Sequence, residues 1–232
     1  MTTKALKGVA LKPKKRSGAD ESATPDLRSR RSEQSQQQIL AAAETEFADK
    51  GPAGARVDTI ADESGVNKQM IYYYYGSKED LYLAVLERAY AGMRQSEREL
   101  NLTNLDPLDA IRRLVEFKFD YYANNPTIIR LLAGENMQNA KFLKQSSRLR
   151  DMHISLIDVL QTVLAAGAKS RTVRTGIDPV QLYFSIAALS YFYFANAATL
   201  SAAFGKPLTS ANELKSRKAH AVELILTYVR AS

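Results

Sequence analysis

The chain has 232 residues, no cysteine, two histidines, a formal net charge of +7 and a sequence pI of about 9.5. This composition excludes a disulfide framework and a thiolate metal centre, and two histidines far apart give no pattern of a zinc enzyme or histidine-based hydrolase. We therefore expect no metal site, no catalytic residues and no cofactor.

The positive charge is concentrated near the N-terminus. Residues 1–33 contain nine lysines and arginines against four acidic residues, a net +5. Residues 1–32 have almost no large apolar side chains and are predicted to form a disordered arm. Such an arm is typical of proteins that bind a polyanion such as DNA, but a tail that only increases solubility can carry the same charge. No apolar signal sequence follows the basic residues, so a cytoplasmic protein is expected.

The next segments predict a helix-turn-helix. Apolar residues recur every three or four positions from about residue 33 to residue 50, and Gly51-Pro52 stops this amphipathic helix. A short helix from Val57 ends at Gly65, and Asn67 is a favourable N-cap for a second short helix. Two short helices joined by a tight glycine turn are the helix-turn-helix pattern.

The second short helix carries four consecutive tyrosines within "VNKQMIYYYYGSKEDL", residues 66–81. At 100° per residue, Ile71 and Tyr75 face the preceding helix, while the other sides display lysine, glutamine, methionine and phenol groups. These groups suit base edges and phosphates in a major groove, although tyrosines also cluster in cores and dimer contacts. The predicted DNA-contacting residues are Lys68, Gln69, Met70, Tyr72, Tyr73, Tyr74 and, at the start of the next helix, Lys78.

The rest of the chain is predicted to be helical. A helix capped by Ser77 runs to about Glu99, and four further patterns begin near residues 107, 126, 141 and 209. The most apolar stretch, within residues 179–204, contains serine, asparagine and threonine and is interpreted as a buried helix rather than a membrane span. The fold class is therefore all-α, with nine helices and no sheet.

The segment "TIADESGVNKQMIYYYYGSKEDLYLAVL" resembles the DNA-binding signature of TetR-type transcriptional repressors over about residues 35–88. The agreeing residues are Ile60, Ala61, Gly65, Val66, Ile71, Tyr72, Tyr74, Ser77, Lys78, Glu79 and Leu81. Ala55-Arg56 stand where threonine or serine usually caps the first short helix. The missing cap hydrogen bond should lower the stability of this helix by about 1 kcal/mol. Arg56 is instead expected to bind phosphate. The segments "NNPTIIRLLAGENM" and "IDPVQLYFSIAALSYFYFANA" resemble the RutR-like subgroup in order and spacing. This second resemblance does not predict which ligand the protein binds.

The resemblance implies a homodimer that binds a palindromic operator, is joined through its last two helices and is released by a small-molecule effector. The implied domains are a DNA-binding domain over residues 33–80 and an effector-binding and dimerisation domain over residues 81–232. Polar or aromatic residues on apolar helix faces are candidates for the effector pocket, each with core or interface packing as the alternative. They are Phe117, Tyr121, Glu135, Met137, His153, Tyr183 and Tyr191. A mainly aromatic lining favours a flat or apolar effector.

Two alternatives remain at the level of the sequence. A nonspecific DNA-binding protein would take most of its affinity from the basic arm, with a steep salt dependence and no preference among duplexes. An all-helical enzyme would need a nucleophile, base and acid, and the sequence displays no such set.

Overall fold

The computed structural model describes residues 25–231, except the side chains of residues 25–28 and of His153. Ten α-helices account for most of this part of the chain. In order, α1–α10 are Pro25–Gly54, Val57–Ser64, Lys68–Tyr75, Lys78–Arg98, Pro107–Asn124, Pro126–Met137, Ser147–Lys169, Pro179–Ala195, Ala197–Phe204 and Ala211–Val229. Single 3₁₀ turns at Leu102–Asn104 and Leu143–Gln145 precede α5 and α7. Within residues 25–231 the backbone forms no strand, only an isolated bridge of Val173 with Arg230. The all-α prediction is confirmed.

Helix α1 begins earlier than predicted. It starts at Pro25, so residues 25–32 of the predicted disordered arm are helical, whereas residues 1–24 lie outside the described residues. At its other end Gly51 has φ 66° and ψ 170°, which interrupts the helix where the Gly51-Pro52 signal predicted a stop.

The predicted helix over residues 179–204 is two helices, which makes ten instead of nine. The axes of α8 and α9 meet at 69°. Asn196, between them, has φ −113° and ψ 8°, which lie outside the helical range. Its side-chain amide donates to the carbonyl oxygen of Phe192 at 2.9 Å, the same oxygen that accepts from its backbone amide at 3.1 Å. The apolar composition is continuous across this bend, so composition alone did not reveal it. No single helix among residues 25–231 has the length and apolar composition to span a membrane, although the bent α8–α9 pair passes that test.

Helix α4 belongs to two hydrophobic cores. Its first half contributes Leu81 and Leu86 to a core formed with α1, α2 and α3, which we call the head core. Its second half contributes Tyr90 and Met93 to a cluster with residues of α5, α6 and α7. The head core also includes Leu131 of α6, so packing is continuous across the predicted domain boundary at residue 80. A further core joins α5, α7, α8 and α10.

Candidate nucleic-acid interface and interior cavity

Helix α3 is held between two glycine turns. Gly65 ends α2 with φ 67°, a conformation that glycine adopts without strain. Asn67 caps α3 by accepting a hydrogen bond from the Gln69 amide at 2.8 Å, and Gly76 ends the helix with φ 76°. Ser77 then caps α4 by accepting from the Asp80 amide at 3.0 Å. Both N-caps are confirmed, and they fix the direction in which α3 projects from the head core.

One side of α3 is anchored and the other faces solvent. Ile71 is buried in the head core, with 1% of its surface exposed. Lys68, Gln69 and Met70 are exposed, as are Tyr72 at 42% and Tyr73 at 78%. Helical phase alone predicted this division. The exposed side therefore offers amide, thioether and phenol groups to a partner without disturbing the packing of Ile71.

The last two tyrosines of the run are half-buried. The Tyr75 hydroxyl donates to the carbonyl oxygen of Gln36 in α1 at 3.2 Å, and burial raises the pKa of Tyr75. Tyr74 packs against the head core, and its ring lies 5.4 Å from that of Tyr73, centroid to centroid. Tyr75 thus faces inward as predicted. Tyr74 supports the exposed ring of Tyr73, and its contact with a flanking phosphate stays a prediction.

The two lysines predicted to contact DNA already have partners. Lys68 Nζ lies 2.6 Å from Asp58 Oδ1, an exposed pair between α3 and α2, and its hydrogen bond lowers the pKa of Asp58. Lys78 Nζ donates to the carbonyl oxygens of Ala53 and Ala55 at 3.2 and 3.3 Å. Lys78 therefore satisfies backbone groups that follow the break in α1, a structural role that its place in the sequence did not predict.

Arg56 is exposed and makes no side-chain cap for α2, as expected. Its amide donates to the carboxylate of Glu46 at 3.0 Å, which replaces part of the missing cap. Glu46 is buried and also pairs with Lys50 at 2.8 Å. Burial acts to raise the pKa of Glu46, but the bonds from Lys50 and Arg56 outweigh it and lower the pKa. The Arg56 side chain is exposed, and its positive charge acts on the Asp58–Lys68 pair between α2 and α3.

A cluster of three buried charged residues lies between α4 and α5, outside the head core. Arg94 and Glu97 of α4 form an ion pair, and Lys118 Nζ of α5 lies 2.5 Å from Glu97 Oε1. Each is at least 96% buried. None of the three was predicted from the sequence, because a charged residue on a helix is most often solvent-exposed. Their helical phase was a usable signal, since Lys118 lies four residues from both Leu114 and Tyr122 on the buried side of α5.

Arg94 and Glu97 also line a cavity of about 130 Å³ between α4, the Leu102–Asn104 turn and α7. Met152, Leu156 and Val159 form part of its apolar wall. A cavity with an apolar wall and a few convergent polar groups is the usual form of a small-molecule site.

Four of the predicted effector residues lie on helices around the charged cluster. The Tyr183 hydroxyl accepts a hydrogen bond from Arg94 Nη2 at 3.0 Å, so Tyr183 joins the cluster directly. The Tyr191 ring packs edge-on against Tyr122, 5.9 Å between centroids. Phe117 and Tyr121 pack against each other on α5 at 5.5 Å. None of the four lines the 130 Å³ cavity itself.

Two predicted effector residues have other surroundings. Met137 is 85% exposed at the end of α6. Glu135 is buried, but its Oε1 accepts hydrogen bonds from the amides of Phe142 and Leu143 at 2.8 and 2.9 Å, so it holds the chain after α6. Neither residue lines the cavity, and Glu135, unlike the other candidates, is committed to backbone amides, so an effector contact stays a prediction for both. The side chain of His153 lies outside the described residues.

Models of two protein families match the chain. Residues 39–85 match the family described as bacterial regulatory proteins, tetR family, and residues 107–225 match the tetracyclin repressor-like C-terminal domain. The first match contains α2 and α3, and the second contains Lys118 and Tyr183.

Curated proteins and solved structures agree with these matches. The HTH-type transcriptional repressor NicS of Pseudomonas putida is 37% identical over 75% of this chain and 82% of its own. The HTH-type transcriptional regulator RutR of Escherichia coli K12 is 31% identical over 80% and 85%, consistent with the subgroup resemblance. The structure of the transcriptional regulator FadR from Bacillus subtilis, in complex with stearoyl-CoA, superposes with a TM-score of 0.66. It covers 84% of this chain and 99% of FadR, and at 17% identity it shows the common fold alone.

Proposed function

The chain belongs to the TetR family of DNA-binding transcriptional regulators, and from that membership we propose that it is a repressor. In this proposal it binds a palindromic operator as a homodimer and is released by a small-molecule effector. The single observation that carries the proposal is the exposed side of α3, where Gln69, Met70, Tyr72 and Tyr73 project from a helix anchored by Ile71.

The exposed residues of α3 divide between base and phosphate contacts. Gln69 can form paired hydrogen bonds with an adenine edge, and Met70 can contact a thymine methyl. The phenols of Tyr72 and Tyr73 can donate to phosphate oxygens, which set the register on the duplex. Arg56, Lys68 and Lys78 are at or near the same surface. Lys68 and Lys78 could reach phosphate only beside or in exchange for their present partners, whereas the Arg56 side chain is exposed. We assign all three residues to affinity rather than sequence preference.

Dimerisation through α8 and α10 is supported by exposed apolar side chains. Phe184 and Phe192 on α8 are each 56% exposed, and Leu224 and Tyr228 on α10 are also exposed. Large apolar residues concentrated on two neighbouring helices indicate an interaction surface. In a two-fold dimer the same surface serves both subunits and places two α3 helices in successive major grooves, about 34–36 Å apart.

Helix α4 provides a physical connection between effector and operator. Its C-terminal half carries Arg94 and Glu97 at the cavity, and its N-terminal half carries Leu81 in the core that anchors Ile71. FadR, which has the same fold, was crystallised with a small molecule. An effector that favours one position of α4 would change the spacing of the two α3 helices. Coupling of about 1–3 kcal/mol is typical of such switches.

Selection of bound duplexes from a random library tests the proposal. We expect a palindromic consensus bound by two chains, with at least about 10³-fold preference over random DNA. Equal affinity for all duplexes would instead favour a nonspecific DNA-binding protein.

Deleting residues 1–24, which leaves α1 whole, should reduce the salt dependence for every duplex alike if the basic arm contacts DNA.

A further inference from the structure

The buried cluster of Arg94, Glu97 and Lys118 carries an excess positive charge. It contains two cations and one carboxylate, and each side chain is at least 96% buried. Among the described residues, Glu97 is the ion-pair partner of both cations. An uncompensated charge away from water is costly, so burial favours a further anion beside the cluster.

The neighbouring residues do not supply the missing negative charge. Burial raises the pKa of Tyr90 and Tyr122, which keeps both phenols neutral. Lys118 Nζ otherwise faces the Met93 sulfur at 3.6 Å and the Tyr183 ring at 5.2 Å from its centroid. The other buried carboxylate of this region, Glu135, is bonded to backbone amides and forms no ion pair with either cation.

The cavity offers an anion a direct contact with the cluster. Arg94 lines it, and Arg94 Nε is buried without a hydrogen-bond acceptor among the described residues. The exposed Arg98 lines the same cavity and adds positive charge. Asp151 and Asp158 lie on an adjoining open groove of α7 and not in the cavity lining.

The cavity is partly open to solvent beside the exposed Arg98, and its size and lining determine which part of a ligand it can enclose. Its volume of about 130 Å³ is comparable with the about 150 Å³ of an engineered cavity that accepts benzene. Met152, Leu156 and Val159 can contact a ring or a short alkyl chain. A single excess charge matches a monoanion, and guanidinium groups bind the planar carboxylate through paired hydrogen bonds.

We propose that the cavity beside Arg94 binds a small organic monocarboxylate, with one ring or a short chain, and that this molecule is the effector. The binding step stands independently of DNA, whereas the role as effector rests on the function proposed above. The carboxylate approaches the Arg94 guanidinium at the cavity wall, and its negative charge draws Arg94 away from Glu97. Because Arg94 Nε is buried in this structure, the guanidinium has to turn toward the cavity before Nε can donate to the ligand. Since Arg94 and Glu97 are one turn apart on α4, this exchange changes the helix that also packs in the head core.

Calorimetric titration of the full chain with matched pairs of ligands tests the proposal. Benzoate is compared with benzamide, and hexanoate with hexanamide, at constant chloride. We expect a carboxylate to bind at least about tenfold more tightly than its amide, because only the anion compensates the cluster. The proposal is wrong if neither carboxylate binds, or if the amide binds as tightly as the acid. It is also wrong if sodium chloride stabilises the protein against unfolding as much as the carboxylate does.

Variants of the two cations locate the bound anion. Arg94→Met and Lys118→Met each leave one cation paired with Glu97, and each should weaken carboxylate binding by about tenfold or more. Arg113→Met is the control, since Arg113 is exposed on α5 and its loss changes the net charge equally. Circular dichroism shows which variants are folded, and either folded variant suffices. Unchanged carboxylate affinity in a folded variant would contradict the site.

The operator experiment separates the two proposals. If the chain selects a palindrome but no carboxylate binds, the inference about the effector is wrong and the regulator remains. If a carboxylate binds and no duplex is preferred, the anion site stands and the proposed function fails. If both occur, the bound carboxylate should lower operator affinity, and an unchanged operator affinity would refute its role as effector.

Discussion

The head core and the interior around Arg94 differ in how completely their buried charges are compensated. In the head, the buried carboxylate of Glu46 is matched by Lys50 and by the amide of Arg56, and the surrounding side chains are apolar. Around Arg94, two buried cations share one carboxylate beside a cavity. A compensated core favours a single rigid arrangement, as presentation of α3 requires. An incompletely compensated interior can gain stability from a ligand, as a sensor requires.

The largest expected effect comes from breaking the head core. Ile71→Asp places a carboxylate with no partner at a position that is 1% exposed, which should cost more than about 4 kcal/mol and unfold the head. Circular dichroism and thermal melting measure the loss. A folded variant with normal stability would show that Ile71 is not the anchor of α3.

Removing the shared carboxylate is the next largest change. Glu97→Gln leaves Arg94 and Lys118 buried without a counter-charge, which should lower the free energy of unfolding by about 3–5 kcal/mol. Benzoate should raise the melting temperature of this variant more than that of the wild-type protein. Arg94→Met leaves a balanced pair and should cost less than Glu97→Gln. The reverse order would show that the interior is not overcharged.

Changes on the exposed side of α3 should affect binding and leave stability intact. Tyr73→Ala, and separately Gln69→Ala, should weaken operator binding by about 1–3 kcal/mol while the melting temperature stays nearly constant. Tyr73→Phe is the matched control, since it keeps the ring and removes the hydroxyl that can reach a phosphate. A large fall in melting temperature for Tyr73→Ala would place Tyr73 in the core instead.

The smallest effect is expected at the pair between α2 and α3. Asp58→Asn removes the partner of Lys68, and both side chains are exposed, so the melting temperature should hardly change. The freed ammonium can then reach a phosphate. The dependence of log affinity on log salt should steepen by about one unit. The same salt dependence as wild type would show that Lys68 does not contact DNA.

The sequence determined the helix-turn-helix and much of the tyrosine run. Gly65, Asn67 and Ser77 act through their own backbone or the adjacent turn, so their roles could be predicted without knowledge of distant contacts. Helical phase placed Ile71 inside and Tyr73 outside for the same reason. The bend at Asn196 and the early start of α1 were missed because the local composition does not change sharply at either point.

Only the tertiary structure decided where the interior charges meet. Arg94 and Glu97 lie on α4 and Lys118 lies on α5, and each alone is compatible with a solvated helix surface. The tertiary structure likewise placed Glu135 in contact with the chain after α6 and Met137 at the surface. The reason is that a buried charge is tolerated or costly according to the groups brought near it by packing of separate helices. Local sequence specifies each helix, while the sign and balance of charge in the cavity arise only when α4, α5 and α7 come together.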